Sequence, residues 1–394
     1  MLLSIALILL SGFVLGELFG KLRLPKLTGM IAAGIALGSL GLLDESLLGI
    51  AADLRKIALI IILMRAGINL KLSDLKKIGR PAALMCFVPA CFEMAGTTLL
   101  APLFLDMTYS EAAVMGAVLG AVSPAVIVPK MLKLMEENRG TDKLIPQMIL
   151  AGASMDDVFV IVMFSMFSDF AQGGGVNAFQ LIDIPLSLVL GAAVGALCGV
   201  LAALIFKRVH IRDSAKVILL MSAAFLLTWL EDALAGIVGF SGLVAVMAAG
   251  IAFNVKAPVP AARVSAKLNK LWCCAEIVLF VLVGAAVDLS AAARAGLGAL
   301  ALIACALVFR AAGVLLCVAG TKLTLRERLF CVFAYLPKAT VQAAIGGVPL
   351  AMGMACGQQV LSVAVIAILV TAPIGAALIE AFGRRWLKAE ELPE

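Results

Sequence analysis

The chain has 394 residues, of which 63% are hydrophobic and only 14% charged, where a soluble domain averages about 45–50% and about 25%; mean hydropathy is +1.13. No water-soluble core absorbs that much apolar side chain, and the composition describes an all-α polytopic membrane protein. The 31 Lys and Arg against 25 Asp and Glu leave a net charge of +6, dispersed along the chain with no basic tract for nucleic acid. The nine cysteines show no CxxC spacing and form neither a disulfide framework nor a zinc site.

Thirteen apolar stretches follow one another in chain order, at about 2–20, 27–43, 54–70, 81–104, 111–133, 144–168, 182–206, 215–231, 234–253, 271–288, 295–320, 329–354 and 359–382. The first has no basic residue before it and is followed by Lys21, Arg23 and Lys26. It therefore reads as a retained helix rather than a cleaved signal, with the N-terminus outside. Basic residues then gather in every second loop: Lys71, Lys76, Lys77 and Arg80; Lys130, Lys133, Arg139 and Lys143; Lys207, Arg208, Arg212 and Lys216; Lys256, Arg263, Lys267 and Lys270; Lys322, Arg326 and Arg328; and Arg384, Arg385 and Lys388. The alternate loops hold Arg55, Lys56 and Arg294, while Arg65, Arg310 and Lys338 lie within spans. This alternation places the C-terminus in the cytoplasm. About a dozen residues follow the last stretch, so no fused soluble domain is expected, and the lack of an organelle signal suits a bacterial inner membrane.

Charges inside spans call for a function or a partner. Counted at about 1.5 Å per residue, Glu93 on span 4, Asp156 and Asp157 on span 6, Arg310 on span 11 and Lys338 on span 12 converge on one depth near the midplane. Glu93 and Arg310 are natural neutralisers of one another. Adjacent carboxylates point about 100° apart on a helix, so one faces a cavity while the other turns to a basic partner. Neighbouring carboxylates oppose joint ionisation, which sets protons and cations in competition for the pair. Arg65 and Glu276 lie at matching depth on spans 3 and 10 and are expected to pair.

Spans 5 and 12 carry helix breakers. Span 5 reads Ala121-Val122-Ser123-Pro124-Ala125-Val126-Ile127-Val128-Pro129. Span 12 reads Leu336-Pro337-Lys338-Ala339-Thr340-Val341-Gln342, followed by Gly346, Gly347 and Pro349. Each proline removes a backbone donor and clashes one turn back. The two spans are seven apart, an odd offset that reverses orientation, as in an inverted repeat of six helices, 1–6 and 8–13, with span 7 linking them. Interrupted backbone at the midplane has to be buried or to line a cavity. The breaks at Pro124, Pro129 and Pro337 are thus expected beside the Asp pair, with Ser123, Thr340 and freed carbonyls completing an oxygen shell for a small hard cation.

These motifs, with Arg65-Ala66-Gly67, Asp156-Asp157, Phe309-Arg310 and Pro337-Lys338-Ala339-Thr340-Val341-Gln342-Ala343-Ala344, resemble the NHA subgroup of the monovalent cation:proton antiporters over essentially the whole chain. The resemblance implies a Na⁺ or Li⁺/H⁺ antiporter of 13 helices that needs no cofactor, a homodimer in membrane lipid. It also implies elevator-like movement of a core (81–168 and 295–382) against a dimer scaffold (1–80 and 215–290), with 182–206 as the linker. It makes Asp157 the main carrier of cation and proton, Asp156 its neighbour, and Glu93–Arg310 a core ion pair. Related bacterial electrogenic antiporters carry Lys where Arg310 stands, and arginine stays protonated, so a deprotonation step at 310 is not expected. Three other readings are set against exchange: an intramembrane serine protease built on Gly239-Phe240-Ser241-Gly242, a sodium-coupled symporter of an organic solute, and a channel. K⁺ in place of Na⁺ is a variant of the exchanger. The protease lacks a base, since the single histidine, His210, lies in a loop. The symporter needs a roomier site, and the channel a pore open to both faces at once.

Overall fold

The computed structural model describes residues 1–22, 24–69, 79–172, 178–209, 211–234 and 239–389. Arg23, Lys71, Lys76, Lys77 and His210 lie outside the described residues. Among the described residues the secondary structure is helical, with one isolated bridge, Arg139 to Ala389. The helices are α1 (Leu2–Lys21), α2 (Lys26–Ser39), α3 (Glu45–Gly49), α4 (Ala51–Asn69), α5 (Arg80–Met85), α6 (Val88–Leu105), α7 (Tyr109–Leu119), α8 (Pro124–Glu136) and α9 (Ile145–Gln172). They continue as α10 (Ala178–Arg208), α11 (Asp213–Leu234), α12 (Gly242–Lys256), α13 (Pro258–Ala285), α14 (Leu289–Cys317), α15 (Leu325–Ala334), α16 (Thr340–Gly346), α17 (Val348–Ala351) and α18 (Gly357–Trp386).

Nine helical segments among the described residues are long and apolar enough to cross a membrane, and Lys26–Ser39, Gly242–Lys256 and Thr340–Ala351 are shorter apolar helices. The third apolar stretch, α4, falls outside these groups because Asp53, Arg55, Lys56 and Arg65 interrupt it.

The two interrupted spans are opened by the same device. Thr108 caps α7 and Thr324 caps α15, each accepting from the backbone of a glutamate three residues on, Glu111 and Glu327, whose side chain reaches back to the threonine. Each first half-helix then stops short. α7 ends at Leu119, and Pro124 occupies the first turn of α8, where its missing N–H costs nothing. Pro129, expected to break the span, lies inside α8, which continues through it to Glu136. The unwound segment therefore precedes Pro124 and does not extend to Pro129. In the second span Pro337 falls between α15 and α16, so the break centres on it.

The chain forms two compact units. The first takes in residues 1–52, 72–160 and 280–394, and contains both interrupted spans. There α6 and α14 lie close because Gly96 leaves room for Phe309: a Cβ at Gly96 would sit 2.5 Å from the ring. The second unit, 53–71 and 161–279, is organised by small residues four apart. Gly191, Gly195 and Gly199 on α10 press against the backbone at Ser241, Ala245 and Ala249 of α12, and an added Cβ would come within 2.1–2.4 Å of those carbonyls. Ser241 caps α12, its hydroxyl accepting from Val244 N at 3.5 Å. In the same unit the Arg65 guanidinium lies 5.9 Å from the centre of the Trp272 ring and within electrostatic reach of Glu276.

At one end of the first unit, polar side chains lock the helix termini together. Glu327 accepts from Lys143 at 2.8 Å and from Thr324 N at 2.6 Å. Glu137 accepts from Arg384 at 2.6 Å, Arg139 donates to the Arg384 carbonyl at 2.8 Å, and Gly140 N donates to the Lys388 carbonyl at 2.9 Å. Burial alone would raise the Glu327 carboxyl, but the bonds from Lys143 and Thr324 outweigh it and hold the group below its ordinary value of 4.5. A carboxylate lowered in this way stabilises the folded form at neutral pH and releases that contribution only as pH falls through its lowered pKa. Glu327→Ala is expected to lower stability by about 1–2 kcal/mol, and Glu327→Gln, which keeps the cap, by less. Thermal melting of the purified protein in detergent at pH 7 measures both.

Candidate ion-binding site

The end of α7 exposes the carbonyls that every helix C-terminus leaves without intrahelical partners. Here they are Leu119 and the Gly120 and Ala121 that follow it, and the chain meets them with three donors, from α14, the second break and α16. Lys338 Nζ donates to Leu119 O at 2.6 Å and to Ala121 O at 3.3 Å. Arg310 Nη1 donates to Gly120 O. Gln342 Nε2 donates to Ala121 O at 2.6 Å and, more weakly, to Leu119 O at 3.4 Å. Positive charge at a helix C-terminus also offsets its dipole.

The same two cations hold the acids. Arg310 is 0% exposed. Its Nη1 donates to Glu93 Oε2 at 2.6 Å, its Nη2 to Asp156 Oδ2 at 2.9 Å and its Nε to the Tyr335 carbonyl at 2.7 Å. The guanidinium lies 5.4 Å from the Tyr335 ring centre. Lys338 Nζ also donates to Glu93 Oε2. Asp156 Oδ2 accepts a further bond, from Val122 N at 2.8 Å, which ties α9 to the first break. The breaks are joined directly as well: Ser123 N donates to Pro337 O at 2.9 Å. From α18, Thr371 Oγ1 accepts from Lys338 N at 2.9 Å and fixes the backbone there.

Glu93, Arg310, Lys338 and Asp156 thus form one connected lattice across the crossing of the two broken spans. Asp157, the next residue on α9, is 7% exposed against 0% for Asp156, and its Oδ1 is buried without a hydrogen-bond partner among the described residues. The same holds for Asp156 Oδ1, Ser123 Oγ and Thr340 Oγ1. The structure therefore leaves four unpartnered oxygens on the residues singled out by sequence. The carbonyls expected to join them are differently employed, because Leu119, Gly120 and Ala121 already accept from protein donors.

Gln342, Thr371 and Tyr335 carry no charge and were not among the residues expected at the site. Gln342 stood in the quoted motif beside Lys338, and its polar amide in an apolar run was the available signal. Thr371 acts through its hydroxyl on the backbone N–H of Lys338, and Tyr335 through its carbonyl, and neither contact is marked by a local pattern.

An all-helical membrane chain whose buried ion pairs sit where two broken helices cross has the build of a secondary transporter. A family profile described as sodium/hydrogen exchanger, transmembrane, matches residues 5–383. Sodium/hydrogen exchanger 9B2 of Homo sapiens is 31% identical, over 99% of this chain and 76% of that protein. Sodium/hydrogen exchanger 9B1 of Homo sapiens is 30% identical, over 98% of this chain and 78% of that one. Among solved structures, the sodium proton antiporter MjNhaP1 from Methanocaldococcus jannaschii at pH 8 superimposes with a TM-score of 0.84, covering 97% of each chain at 20% identity. That likeness establishes a shared fold. The chain belongs to the sodium/hydrogen exchanger family. It is an integral membrane transporter rather than an enzyme, and exchangers of this family need no cofactor.

Removing Arg310 takes the cation from Asp156, leaves Glu93 with Lys338 alone, and strips the Gly120 and Tyr335 carbonyls of their donor. Breaking a buried ion pair on one side costs about 3–5 kcal/mol, so Arg310→Met is expected to lose that much in thermal denaturation. Arg310→Lys keeps the charge without the planar fork and should fall between the two, while adding Glu93→Gln to Arg310→Met should recover part of the loss.

Proposed function

We propose that this protein exchanges Na⁺ or Li⁺ for H⁺ across the membrane by alternating access, with the cation and the proton competing for Asp157 beside Asp156. The observation that carries the reading is the charge balance of the buried lattice. Arg310 and Lys338 offset Glu93 and Asp156 through direct contacts, and Asp157 remains as a carboxylate with an unpartnered buried oxygen. One proton or one monovalent cation on Asp157 makes the set of five formally neutral; an empty site carries a net negative charge. Moving a bare charge through a low-dielectric barrier is costly, so the loaded forms cross and the empty form is held back. That difference couples the two fluxes.

Family membership and the names of the relatives support sodium and proton as the exchanged pair. The orphaned oxygens of Ser123, Thr340 and Asp156 are suited to complete a hard-cation shell. In the movement we propose, the core (81–168 and 295–382) carries the lattice as one body against a scaffold (1–80 and 215–290) through which two copies associate. Pairing of Arg65 with Glu276 belongs to that scaffold. The alternation of Lys and Arg along the loops supports an N-terminus outside and a C-terminus in the cytoplasm, with a cell membrane as the setting.

Because one cation replaces one proton on a single carboxylate, the exchange is electroneutral. In proteoliposomes with an imposed pH gradient, Na⁺ and Li⁺ are expected to dissipate the gradient at a rate unaffected by an imposed membrane potential. Acceleration by potential would require a second titrating group in each cycle, and a response to K⁺ alone would reassign the cation. Asp157→Asn is expected to abolish cation-dependent proton flux with a melting temperature close to the parent's. Normal exchange by this variant would remove Asp157 from the role given to it.

A further inference from the structure

The lattice uses one neutral side chain whose placement the ion pairs alone do not require. Gln342 is completely buried on α16, and both ends of its amide are committed. Its oxygen accepts from Ala339 N at 2.8 Å, in the second break. Its nitrogen donates to Ala121 O at 2.6 Å, in the first break, and reaches Leu119 O at 3.4 Å. The amide cannot be turned round, because the backbone N–H of Ala339 demands an acceptor and the Ala121 carbonyl demands a donor. Gln342 is therefore a second tie between the two breaks, beside the Ser123–Pro337 backbone bond.

The partner at Ala121 matters for ion binding. Backbone carbonyls freed by an unwound helix are good ligands for a hard cation, and the number and flexibility of ligands decide which cation fits. Lys338 alone holds Ala121 O only weakly, at 3.3 Å. Without Gln342 that oxygen would be available two residues from Ser123, whose hydroxyl is itself unpartnered.

We propose that Gln342 is a positioning and selectivity residue: it pins the first break to the second and keeps the Ala121 carbonyl out of the cation's shell. The cation is then left with the carboxylate and hydroxyl oxygens of Asp157, Asp156, Ser123 and Thr340. The proposal rests on the sodium/proton exchange reading and adds a statement about ligand number. Freeing an extra carbonyl loosens and enlarges the shell, which weakens Na⁺ binding and favours a larger ion.

The test is Na⁺- and K⁺-driven proton flux in proteoliposomes, with the parent protein measured alongside. Gln342→Leu preserves volume and removes the donor. One buried hydrogen bond is worth about a factor of ten in binding, so its Na⁺ KM is expected to rise about tenfold with a smaller change in kcat, and K⁺-driven exchange should increase relative to Na⁺. Gln342→Glu keeps the shape and the acceptor for Ala339, but offers a donor to Ala121 only when protonated. The ratio of its Na⁺ KM to that of the parent at the same pH should fall towards one as pH is lowered, whereas the ratio for Gln342→Leu should stay flat. Lys338, which shares both carbonyls with Gln342, and Glu93, Arg310 and Asp156 behind it are common to all three proteins, so the ratio removes whatever part of their titration the substitution leaves unaltered, and Gln342→Leu, which adds no charge, is the control for the rest. Unchanged KM and cation preference in Gln342→Leu, or a uniform loss of kcat at constant KM, would overturn the proposal, as would a flat ratio for Gln342→Glu. If the parent itself moves no protons in response to Na⁺ or Li⁺, the exchange reading fails instead. Should Gln342→Leu not fold, the pH trend of Gln342→Glu decides alone.

Discussion

Everything at the crossing depends on one buried guanidinium. Arg310 spends four of its five N–H donors on Glu93, Asp156, the Gly120 carbonyl and the Tyr335 carbonyl. It thereby joins α6, α9 and both interrupted spans. A lysine at this position would bring charge but no planar fork, and could not hold a carboxylate on each arm while capping a helix with the same nitrogen. The permanence of the charge matters equally. A group that never gives up its proton fixes the balance of the lattice, and in the exchange proposed above the change of state then falls to Asp157, a carboxylate that Arg310 does not bond.

The helical membrane class and most of the elements were legible in the sequence because hydropathy and Lys/Arg placement are dictated by the bilayer. In lipid, backbone groups must be satisfied within a helix, so an apolar run of sufficient length has few alternatives. The ionisable residues within spans were legible for the same reason: Glu93, Arg310, Lys338 and the Asp pair stood out as costs needing a partner, and the first four are in direct contact. Pro129 misled for a local reason. A proline signals only that one donor is missing, and α8 tolerates that loss, whereas the break before Pro124 arises where Gly120 to Ser123 give up helical geometry in exchange for bonds to Arg310, Lys338, Gln342 and Asp156. Those exchanges are made between residues far apart in the chain, and no local pattern records them.

The oxygens followed the same division. Side-chain oxygens suited to a cation, those of Ser123, Thr340 and the Asp pair, could be named from residue type. Whether a carbonyl is free could not, since it depends on which donor faces it. Leu119, Gly120 and Ala121 have apolar or absent side chains and carry no sequence signal, yet their carbonyls take up three of the lattice's polar groups. The two capping boxes, Thr108 with Glu111 and Thr324 with Glu327, were readable as short motifs but acquire meaning only because each opens a half-helix that ends at the crossing.

The chain separation of the lattice partners also bears on biogenesis. Glu93 and Arg310 are 217 residues apart, Gly120 and Arg310 190, and Asp156 and Arg310 154. During synthesis the first half of the chain reaches the translocon with its acids and its three open carbonyls long before the arginine and lysine that neutralise them are made. Those early segments are poorly matched to lipid while they wait. The crossing closes only once Arg310 and Lys338 have joined the residues they bond.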